Sequence, residues 1–545
     1  MIDCLKFRWV IVLLAFAATW ASRAQPVFSN AVSLGTVNFS ALHQASGVVS
    51  SRNNDGVLWT HNDAGDSARI FAIDTNGNHL GTYNLTNATH VDYEDIAIGP
   101  GPLTNVQYLY VGDIGDNNLV RSNIVIYQIP EPAVYLRWAT NSRMLDLQGV
   151  RAITFHYPDG AHNAETLMID PLTGDIFIAT KQTNVSRIYT ATKAQLDAGG
   201  TNTLGFVRQI NFDVANGGDI SPTGGEIIIR QEDFARLWIR APGQSVNNAL
   251  GGTPISVPVV GRPTEPNGEA IGFDSIGRGY YTLSDSASTQ ALYYFVRATP
   301  YVIKAPRPLV DVGATWRYLD TGTNLGTAWR TNGFDDSVWK IGEGQFGYGD
   351  GDEQAIVKYG SKSSDKYITT YFRKKFVVTN LAMISRLEFK LVYDDGAAVF
   401  LNGTQIVLAN LTNGAVYNSL ATNTQSALQS TWFTFPVNLA LLTNGTNLLA
   451  VEVHQAATNS PDLSFDAQLV AYDPPGPPQI LSESWQSNRA FAFTFMASGT
   501  NVTVEVSTNL PSWTPLGSAP VTNGIGAFID PTGTNCPRRF YRLSQ

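Results

Sequence analysis

Short apolar runs separated by turn residues recur along residues 30–300 of the chain. In each copy of the pattern, a small or acidic residue opens an apolar strand, a turn follows, and a second apolar strand ends in polar residues. A third apolar or aromatic strand comes next. Runs of this length, bounded by turn signals, are typical of buried β-strands. The copies open at Gly47, Glu94, Glu165, Asp219 and Glu269.

Repeats of three or four strands predict the blades of a β-propeller. The spacing is about 50 residues, apart from one longer gap between Glu94 and Glu165. We expect an insertion around residues 131–148 to fill this gap, and the alternative is a hidden sixth blade. The early strand Val32–Val37 is expected to close the ring by completing the last blade. The sequence therefore predicts an all-β fold with a five-bladed propeller, alternatively six-bladed, over residues 25–303.

Two further modules follow Pro-containing linkers. Alternating strands with Asp-Gly and Asn-Gly turns predict antiparallel hairpins over residues 309–472, which favours a jelly-roll β-sandwich. Residues 479–545 alternate in the same way and predict a small sandwich of the immunoglobulin or fibronectin kind. The composition agrees, because 48 Gly, 27 Pro, 11% aromatic and only 15% charged residues suit many short strands joined by turns.

The N-terminus carries the features of a secretory signal. Lys6 and Arg8 precede the apolar run Trp9–Ala21, and Ser22-Arg23-Ala24 suits a signal peptidase. We expect residues 1–24 to be a signal peptide, with an uncleaved anchor as the alternative, and the mature chain to be extracellular, surface-bound or periplasmic. No later stretch predicts a membrane span. Only Cys536 would then be left, so we expect no intramolecular disulfide.

Charge narrows the classes of partner. The chain has a formal net charge of −9. Binding to nucleic acid requires clustered Lys and Arg to meet the phosphates, so the acidic balance argues against it. A net negative charge is consistent with a protein outside the cytoplasm or with one that binds cations.

A propeller would bring the acidic residues of the repeat close together. Innermost strands line the central channel of a propeller, so equivalent repeat positions should form a ring at one level. Carboxylates in such a ring repel one another unless something compensates. Ca²⁺ does so with six to eight oxygen ligands, whereas Lys181 and Arg230 offer ion pairs instead. A third interpretation is that the acids bind backbone amides of the next blade. The candidate metal ligands are Glu94, Glu165, Asp219 and Glu269.

The ends of the second strands add polar residues near the same channel. They are candidates for binding a ligand beside the ring. The set is Asn62, Asp63, Asp113, Asp116, Asn117, Lys181, Arg230 and Asp285.

Several runs in this module resemble a group of secreted bacterial propellers related at a distance to phytase-like and lactonase-like propellers. The resemblance implies a central Ca²⁺ and, in some members, hydrolysis of esters or phosphoesters. A full catalytic set from either enzyme family cannot be placed on this chain. The runs are His61-Asn62-Asp63, Asp92-Tyr93-Glu94-Asp95, Val111–Asn117, Ile129–Pro132 and Asn163-Ala164-Glu165.

The other two modules also resemble known ones. Asp394-Asp395-Gly396 and Phe400–Gly403 resemble the galactose-binding-like jelly roll of secreted hydrolases, which implies carbohydrate binding through aromatic faces. Ser507–Trp513 and Phe540–Leu543 resemble a C-terminal module of secreted proteins from environmental bacteria, which implies a role in secretion or surface display. The aromatic candidates for sugar binding are Trp329, Trp339, Tyr348 and Trp432, and core packing is the favoured expectation for each of them.

Two functions from different classes follow. The first is a secreted or surface propeller protein that binds a cation, with Ca²⁺ as the expected cofactor, and a ligand such as a glycan or cell-surface polymer. The alternative is a calcium-dependent phosphoesterase or lactonase-type hydrolase with an accessory carbohydrate-binding module. In that case Ca²⁺ polarises the substrate and a ring carboxylate acts as base.

Overall fold

The computed structural model describes residues 26–545 except 38, 242, 287–289, 300–304, 426, 474–477, 486–489, 498–500, 523–524, 531, 533–538 and 545. The predicted signal peptide and Cys536 lie outside the described residues. The fold is all-β. Residues Pro26–Pro475 form one compact unit, and Gly476–Gln545 belong to another. Among the described residues, no helix has the length and apolar character needed to cross a bilayer.

The first module consists of strands with two short helices, α1 (Lys193–Ala198) and α2 (Val246–Leu250), and one 3-10 turn at Leu136–Thr140. Its strands are β1 (Val27–Phe28), β2 (Val32–Val37), β3 (Ala45–Ser50), β4 (Val57–Asn62), β5 (Arg69–Asp74), β6 (His79–Leu85), β7 (Tyr93–Pro100), β8 (Gln107–Asp113), β9 (Ile124–Pro130), β10 (Arg143–Leu147), β11 (Arg151–His156), β12 (Ala164–Ile169), β13 (Ile176–Thr180), β14 (Ser186–Ala191), β15 (Gly200–Thr203), β16 (Gly205–Ile210), β17 (Gly217–Ile220), β18 (Glu226–Arg230), β19 (Ala235–Ile239), β20 (Ile255–Val257), β21 (Gly268–Phe273), β22 (Gly279–Ser284) and β23 (Gln290–Thr299).

These strands form five sheets in the described part of the first module. Their orders are β3-β4-β5-β6-β10, β7-β8-β9-β11-β15, β12-β13-β14-β16, β17-β18-β19-β20 and β21-β22-β23, with β1 and β2 both pairing with β23. The first strand of each sheet contacts the first strand of the next, and β21 contacts β3. The five first strands therefore form a closed ring.

The long gap in the repeat supplies an extra edge strand. Within it, β10 adds to β6 in parallel at the outer edge of the first sheet. Residues 131–148 thus extend an existing sheet in the described structure, and the sixth-blade alternative has no sheet of its own there. The early strand β2 pairs antiparallel with β23, as the sequence predicts.

Burial explains why inner and outer strands differ in sequence. Strands β4, β13 and β18, the second in their sheets, are buried along their whole length, and each contains a run of apolar residues. Such runs suit strands covered on both faces. The outer strand β10 alternates between half-buried and exposed residues, as expected when one face of a strand meets solvent.

The second module has two six-stranded sheets, ordered β28-β27-β35-β30-β33 with β24 on β35, and β26-β25-β29-β34-β31-β32. Its 3-10 turns are Ala328–Arg330, Leu381–Met383 and Leu439–Leu441. The strands are β24 (Arg307–Val310), β25 (Thr315–Leu319), β26 (Lys340–Glu343), β27 (Phe346–Tyr348), β28 (Ala355–Ile356), β29 (Thr369–Val378), β30 (Arg386–Tyr393), β31 (Gly396–Leu401), β32 (Thr404–Ala409), β33 (Phe433–Val437), β34 (Gly445–His454) and β35 (Leu463–Tyr472).

The first two modules share a continuous apolar seam. Trp432 and Val392 of the second module pack in one buried cluster with Trp59 and Tyr83 of the first. The Trp432 Nε1 donates a hydrogen bond to Asn54 Oδ1 at 3.0 Å across this seam. The joint therefore has the packing of a protein interior.

The four aromatic residues considered for sugar binding are all buried. Trp329 and Trp432 have no exposed area, and Trp339 and Tyr348 are 6% and 7% exposed. None presents a ring face to solvent, so the favoured expectation of core packing describes all four.

The third module is a six-stranded antiparallel sheet in the order β36-β37-β40-β39-β38-β41. Phe493, Phe495, Val502 and Val504 lie in its buried core. Alternation of apolar and polar residues along β38 places Val502 and Val504 on the buried face. Its strands are β36 (Gln479–Trp485), β37 (Phe491–Met496), β38 (Asn501–Ser507), β39 (Thr514–Thr522), β40 (Ile525–Asp530) and β41 (Phe540–Ser544).

Candidate metal centre

Three β-bulges direct glutamates into the middle of the ring of sheets. The pairing register shifts between Tyr93 and Asp95 in β7, between Ala164 and Thr166 in β12, and between Gly268 and Ala270 in β21. The residue inside each shift is Glu94, Glu165 or Glu269. A bulge inserts one residue without a partner and re-aims its side chain. The three glutamates interact electrostatically with one another, so the bulges bring them together.

Glu165 and Glu269 share a small network of donors. Lys181 Nζ lies 2.5 Å from Glu165 Oε2 and 3.8 Å from Glu269 Oε1. The Asn216 amide bridges the same two carboxylates at 3.4 Å each. Ser46 Oγ donates to Glu269 Oε2 at 3.3 Å. One ammonium group thus partly compensates two buried carboxylates.

Glu94 has no direct partner of this kind, and the charge of Lys181 acts on it only at longer range. Its side chain is buried, and within the described part of the chain its carboxylate has no hydrogen-bond or ion-pair partner. Asp63, Asp92 and Glu94 each place a carboxylate oxygen within 4.8 Å of the others. These three residues are called the acidic triad below. Among the described residues no hydrogen-bond donor contacts these three side-chain carboxylates, so they form an anionic pocket.

A glycine allows the surrounding loop to approach the acidic triad. A Cβ atom added to Gly115 would collide with Glu94 Oε1 and with Asp92 Oδ2. The Gly115 amide donates to the Asp92 backbone oxygen at 3.3 Å. The second glycine of the Gly-Asp-Ile-Gly-Asp-Asn run is therefore needed for the loop to pack against the carboxylates.

The pKa values of the glutamates in the cluster are raised above their usual range. Burial, followed by repulsion from Glu165, Asp63 and Asp92, raises the pKa of Glu94 well above its usual range. Burial and neighbouring Glu269 raise the pKa of Glu165 to about 8, even though Lys181 acts in the opposite direction. The shifts show that the cluster carries more negative charge than its donors compensate.

The pKa values of two aspartates beside the glutamates are raised as well. Burial and the charge of Asp63 raise the pKa of Asp92 to about 6. Burial and the charge of Glu269 raise the pKa of Asp285 to about 7. The Oδ1 atom of Asp285 is buried without a hydrogen-bond partner. Both residues therefore add oxygen atoms that are available to a cation or a proton donor.

The structure places Asp219 outside this cluster, which corrects the expected ring of four acids. Strand β17 has no bulge, so Asp219 occupies a regular pairing position opposite Ile228. Its Oδ2 accepts from the Phe273 amide and its Oδ1 from the Ile220 amide, both at 2.8 Å. Asp219 thus connects one sheet to the backbone of the next, which is the role proposed in the third interpretation of the ring.

Arg230 also differs from the expectation that it pairs with the ring acids. Its guanidinium is fully buried and forms an ion pair with Glu265 at 3.1 Å. It also donates to the Ala270 backbone oxygen at 3.1 Å. Its charge is therefore compensated away from the three glutamates.

The remaining candidate ligand residues divide into two groups. Asp63, Lys181 and Asp285 face the cluster. The others are occupied by internal hydrogen bonds: Asn62 with the His43 and Gln44 amides, Asp113 with the Val91 and Asp92 amides and with Arg121, Asp116 with the Val120 and Arg121 amides, and Asn117 with Asn163. Their polar groups shape the loops around the pocket.

Sequence reasoning did not assign a site role to Asp92, Ser46 or Asn216. Asp92 precedes its strand and so falls outside the repeated strand pattern. Ser46 lies in the equivalent bulge of β3, where register shifts between Ala45 and Val48. An alignment of the five repeats that allowed one inserted residue per first strand would have placed Ser46 beside the glutamates.

The arrangement is suited to holding a hard cation. Carboxylate oxygens are the ligands that Ca²⁺ prefers, and the acidic triad supplies three of them from two sheets. Glu165, Glu269 and Asp285 add negative charge around it. Lys181, which is 27% exposed along its side chain, stands next to the triad and reaches solvent.

Comparisons with known proteins do not assign a family. No family model matches the chain, and no curated protein matches it. Solved structures with partial similarity include a β-glycosidase from Bacteroides vulgatus, at 12% identity over 41% of this chain and 29% of that chain with a TM-score of 0.19. A calcium-binding mutant of Bacteroides uniformis β-glucuronidase 2 matches at 14% identity over 44% and 28%, with a TM-score of 0.22.

The nidogen/laminin complex matches at 14% identity over 44% of this chain and 73% of that chain, with a TM-score of 0.27. The chain spans less than a third of the length of the two glycosidases. Scores this low carry no argument about a shared architecture or activity. The function of the chain therefore has to be inferred from its own residues.

Proposed function

We propose that the ring of five sheets is a five-bladed β-propeller that binds Ca²⁺ at its centre through the acidic triad. The observation that carries the proposal is the buried Glu94 carboxylate, which has no partner in the described structure and lies beside two more carboxylates. A buried charge without a partner is costly, and its retention is expected where a ligand supplies the missing interaction. The closed ring of first strands supports the propeller interpretation.

The donor set favours Ca²⁺ over transition metals. Asp63, Asp92 and Glu94 supply only oxygen atoms, whereas Zn²⁺ sites are built mainly from His and Cys. Ca²⁺ also tolerates irregular coordination by six to eight oxygens. Three side chains from the protein would leave coordination positions for water or for an external oxygen ligand.

The same geometry suggests the class of ligand. A Ca²⁺ ion with open positions binds oxygen-rich groups, and Lys181 would add a positive charge beside it. Acidic glycans and other oxyanionic surface polymers have this chemistry. Together with the predicted signal peptide, these features support a secreted or surface protein that binds such a polymer through the cation. The second module is proposed as a jelly roll that packs against the propeller.

A hydrolase is the second candidate. It is favoured by the Glu165–Lys181 pair next to the proposed cation. A cation polarises an ester or phosphoester carbonyl or phosphoryl oxygen, and a neighbouring carboxylate can accept a proton from water. In this interpretation Glu165 acts as the base and Lys181 stabilises the developing negative charge.

A calcium titration of the full chain tests the proposed site. After chelator treatment, isothermal titration calorimetry with Ca²⁺ should show a binding event that the Glu94→Gln variant lacks. The matched control is Glu232→Gln, because Glu232 is a glutamate of the same module that pairs with Arg262 at the surface. Unchanged calcium binding in Glu94→Gln would contradict the proposal.

An activity panel separates the two functions. Ester, lactone and phosphoester substrates should be tested with the native protein, with chelator and with the Lys181→Met variant. Turnover that chelation abolishes supports the hydrolase. Calcium-dependent retention on an acidic polysaccharide without turnover supports the binding protein.

A further inference from the structure

A second set of oxygen atoms surrounds a cavity at the seam between the first two modules. The cavity has a volume of about 220 Å³. On the side of the first module it is lined by Tyr83 and by Leu145–Gln148 at the edge of the first sheet. On the side of the second module it is lined by Asp350, Asp352 and the segment around Gln429.

Carboxylates concentrate on one wall of this cavity. Asp350, Asp352 and Glu353 each place an oxygen within 4.8 Å of the others. They lie in the loop between β27 and β28, where Gly349 and Gly351 both have positive φ. That backbone conformation is accessible to glycine and folds the loop back tightly, so that three acidic side chains converge. This set is called the seam carboxylates below.

An independent observation points to a missing ligand. Tyr83 is fully buried and Asp352 is 3% exposed, yet the Tyr83 Oη and the Asp352 Oδ1 have no hydrogen-bond partner. The Oε1 of Gln429 is likewise buried without a partner. All three residues line the cavity. Buried polar groups are almost always satisfied, so three unpartnered oxygens on residues that line one cavity indicate that the cavity holds a ligand.

The existing contacts already orient the seam carboxylates. Gln429 Nε2 donates to Asp350 Oδ1 at 2.6 Å, and the Gln429 Oε1 on the same amide has no partner. Ser464 Oγ donates to Asp350 Oδ2 at 2.8 Å. The Asp350 amide donates to Glu353 Oε1 at 2.9 Å. The loop is therefore held in place by partners on two sides of the cavity.

Nearby arginines do not neutralise the site. Arg143 donates to the Gly351 backbone oxygen at 3.2 Å across the seam, which uses the carbonyl and leaves the acids unpaired. Within the described residues, neither Arg143 nor Arg137 forms an ion pair with a seam carboxylate. The three carboxylates therefore lie within 4.8 Å of one another without a direct cationic partner in the described structure.

We propose that the seam carboxylates bind a second Ca²⁺, with Gln429 Oε1 as a further ligand, and that this ion joins the second module to the first. The donor set contains only oxygen, as Ca²⁺ requires. Tyr83 approaches from the first module and completes the surroundings of the ion, either directly or through a water. The site is separate from the acidic triad and serves the assembly of the two modules.

The test uses the full chain and Ca²⁺ alone. Calcium titrations should compare the native protein, the Asp350→Asn/Asp352→Asn double variant and the Asp335→Asn control, which alters an exposed aspartate of the same module. We expect the double variant to lose one bound Ca²⁺ that the control keeps. The Glu94→Gln variant should keep this same ion, so failure at one site is distinguishable from failure at the other.

Two further measurements test the proposed seam site, even if the double variant does not fold. Tyr83→Phe should weaken the same binding event about tenfold, as expected for a group that supports a metal site from outside the direct ligands. Phe keeps the buried aromatic ring, so we expect this variant to fold. It can therefore test the proposed site if circular dichroism shows that the double variant is unfolded. Ca²⁺ should also slow proteolysis at the seam in the native protein and in the Asp335→Asn control, but not in the double variant. Equal calcium binding in native protein, the folded double variant and Tyr83→Phe means that the cavity holds only water and overturns the proposal.

Discussion

Replacing Glu94 by Gln should change the stability of the protein in opposite directions with and without Ca²⁺. Without calcium, the native protein carries a buried carboxylate that has no partner and faces Asp63 and Asp92. The amide removes that charge while it keeps the size of the side chain. With calcium, the same substitution removes a proposed ligand of the ion.

The distances set the magnitude of both effects. Two charges 4.8 Å apart repel by about 3.5 kcal/mol at an effective dielectric constant of about 20. Partial protonation relieves much of this repulsion, so the variant should be more stable by about 1 to 3 kcal/mol in chelator at pH 8. Ca²⁺ at about 1,000 times its dissociation constant stabilises a native site by about 4 kcal/mol. Loss of the stabilisation by calcium would exceed the stability gained by removing the charge. The native protein should therefore be more stable than Glu94→Gln in calcium and less stable than it in chelator.

Urea unfolding followed by tryptophan fluorescence measures both differences. The native protein, Glu94→Gln and Glu232→Gln are compared in chelator and in excess Ca²⁺, with the slope of each transition checked for two-state behaviour. The proposed seam ion is common to all three proteins, so its contribution cancels. The reasoning is refuted if Glu94→Gln is destabilised in chelator, or if calcium stabilises it as much as the native protein.

Three other predictions follow from the same cluster and from the seam. Because the folded-state pKa values of Glu165 (about 8) and Asp285 (about 7) exceed those of an unfolded chain, the stability they contribute is present below about pH 4 and is lost as the pH rises toward 8. The urea midpoint in chelator should therefore fall over this range, and a rising midpoint contradicts the assignment. Asp219→Ala should cost about 2 to 4 kcal/mol of unfolding free energy by orphaning two buried amides, with unchanged calcium affinity in calorimetry; weakened calcium binding would return Asp219 to the metal site. Trp432→Ala should cost about 3 to 5 kcal/mol in the same denaturation assay, and a cost below about 1 kcal/mol would be inconsistent with its fully buried position at the seam.

The repeat in the sequence predicts the strand organisation of the first module well. All five opening residues, from Gly47 to Glu269, lie in the first strand of a sheet. This succeeds because the buried strands contain short apolar runs bounded by turn residues, which leaves a clear pattern. The closing role of Val32–Val37 follows from the same logic, since the last sheet needs a further strand.

The exact members of the site were harder to predict. Spacing along the chain does not reveal β-bulges, and a single inserted residue decides whether an acid points toward its neighbours or toward backbone amides. Glu94, Glu165 and Glu269 each occupy a bulge, whereas Asp219 lies in regular pairing. The four residues look equivalent in sequence, and only the pairing register separates them.

The contact between the first two modules is not visible in the sequence pattern. Core packing is the favoured prediction for Trp432, but no pattern indicates that its indole meets Asn54 of the other module. Contacts between residues so distant in the chain depend on how complete modules pack. A periodic pattern reports only the local strand.

The pairing of β2 with β23 has a consequence for synthesis of the protein. Residues 32–37 are synthesised before their partner strand Gln290–Thr299, which follows roughly 250 residues later, a delay of roughly 10 to 50 seconds at elongation rates of about 5 to 20 residues per second. During this time the N-terminal strands present unpaired edges that invite association with other chains. The module can acquire its final form only after the last sheet is complete, so chaperones that shield the nascent chain should matter more for this protein than for one whose neighbouring strands are adjacent in sequence.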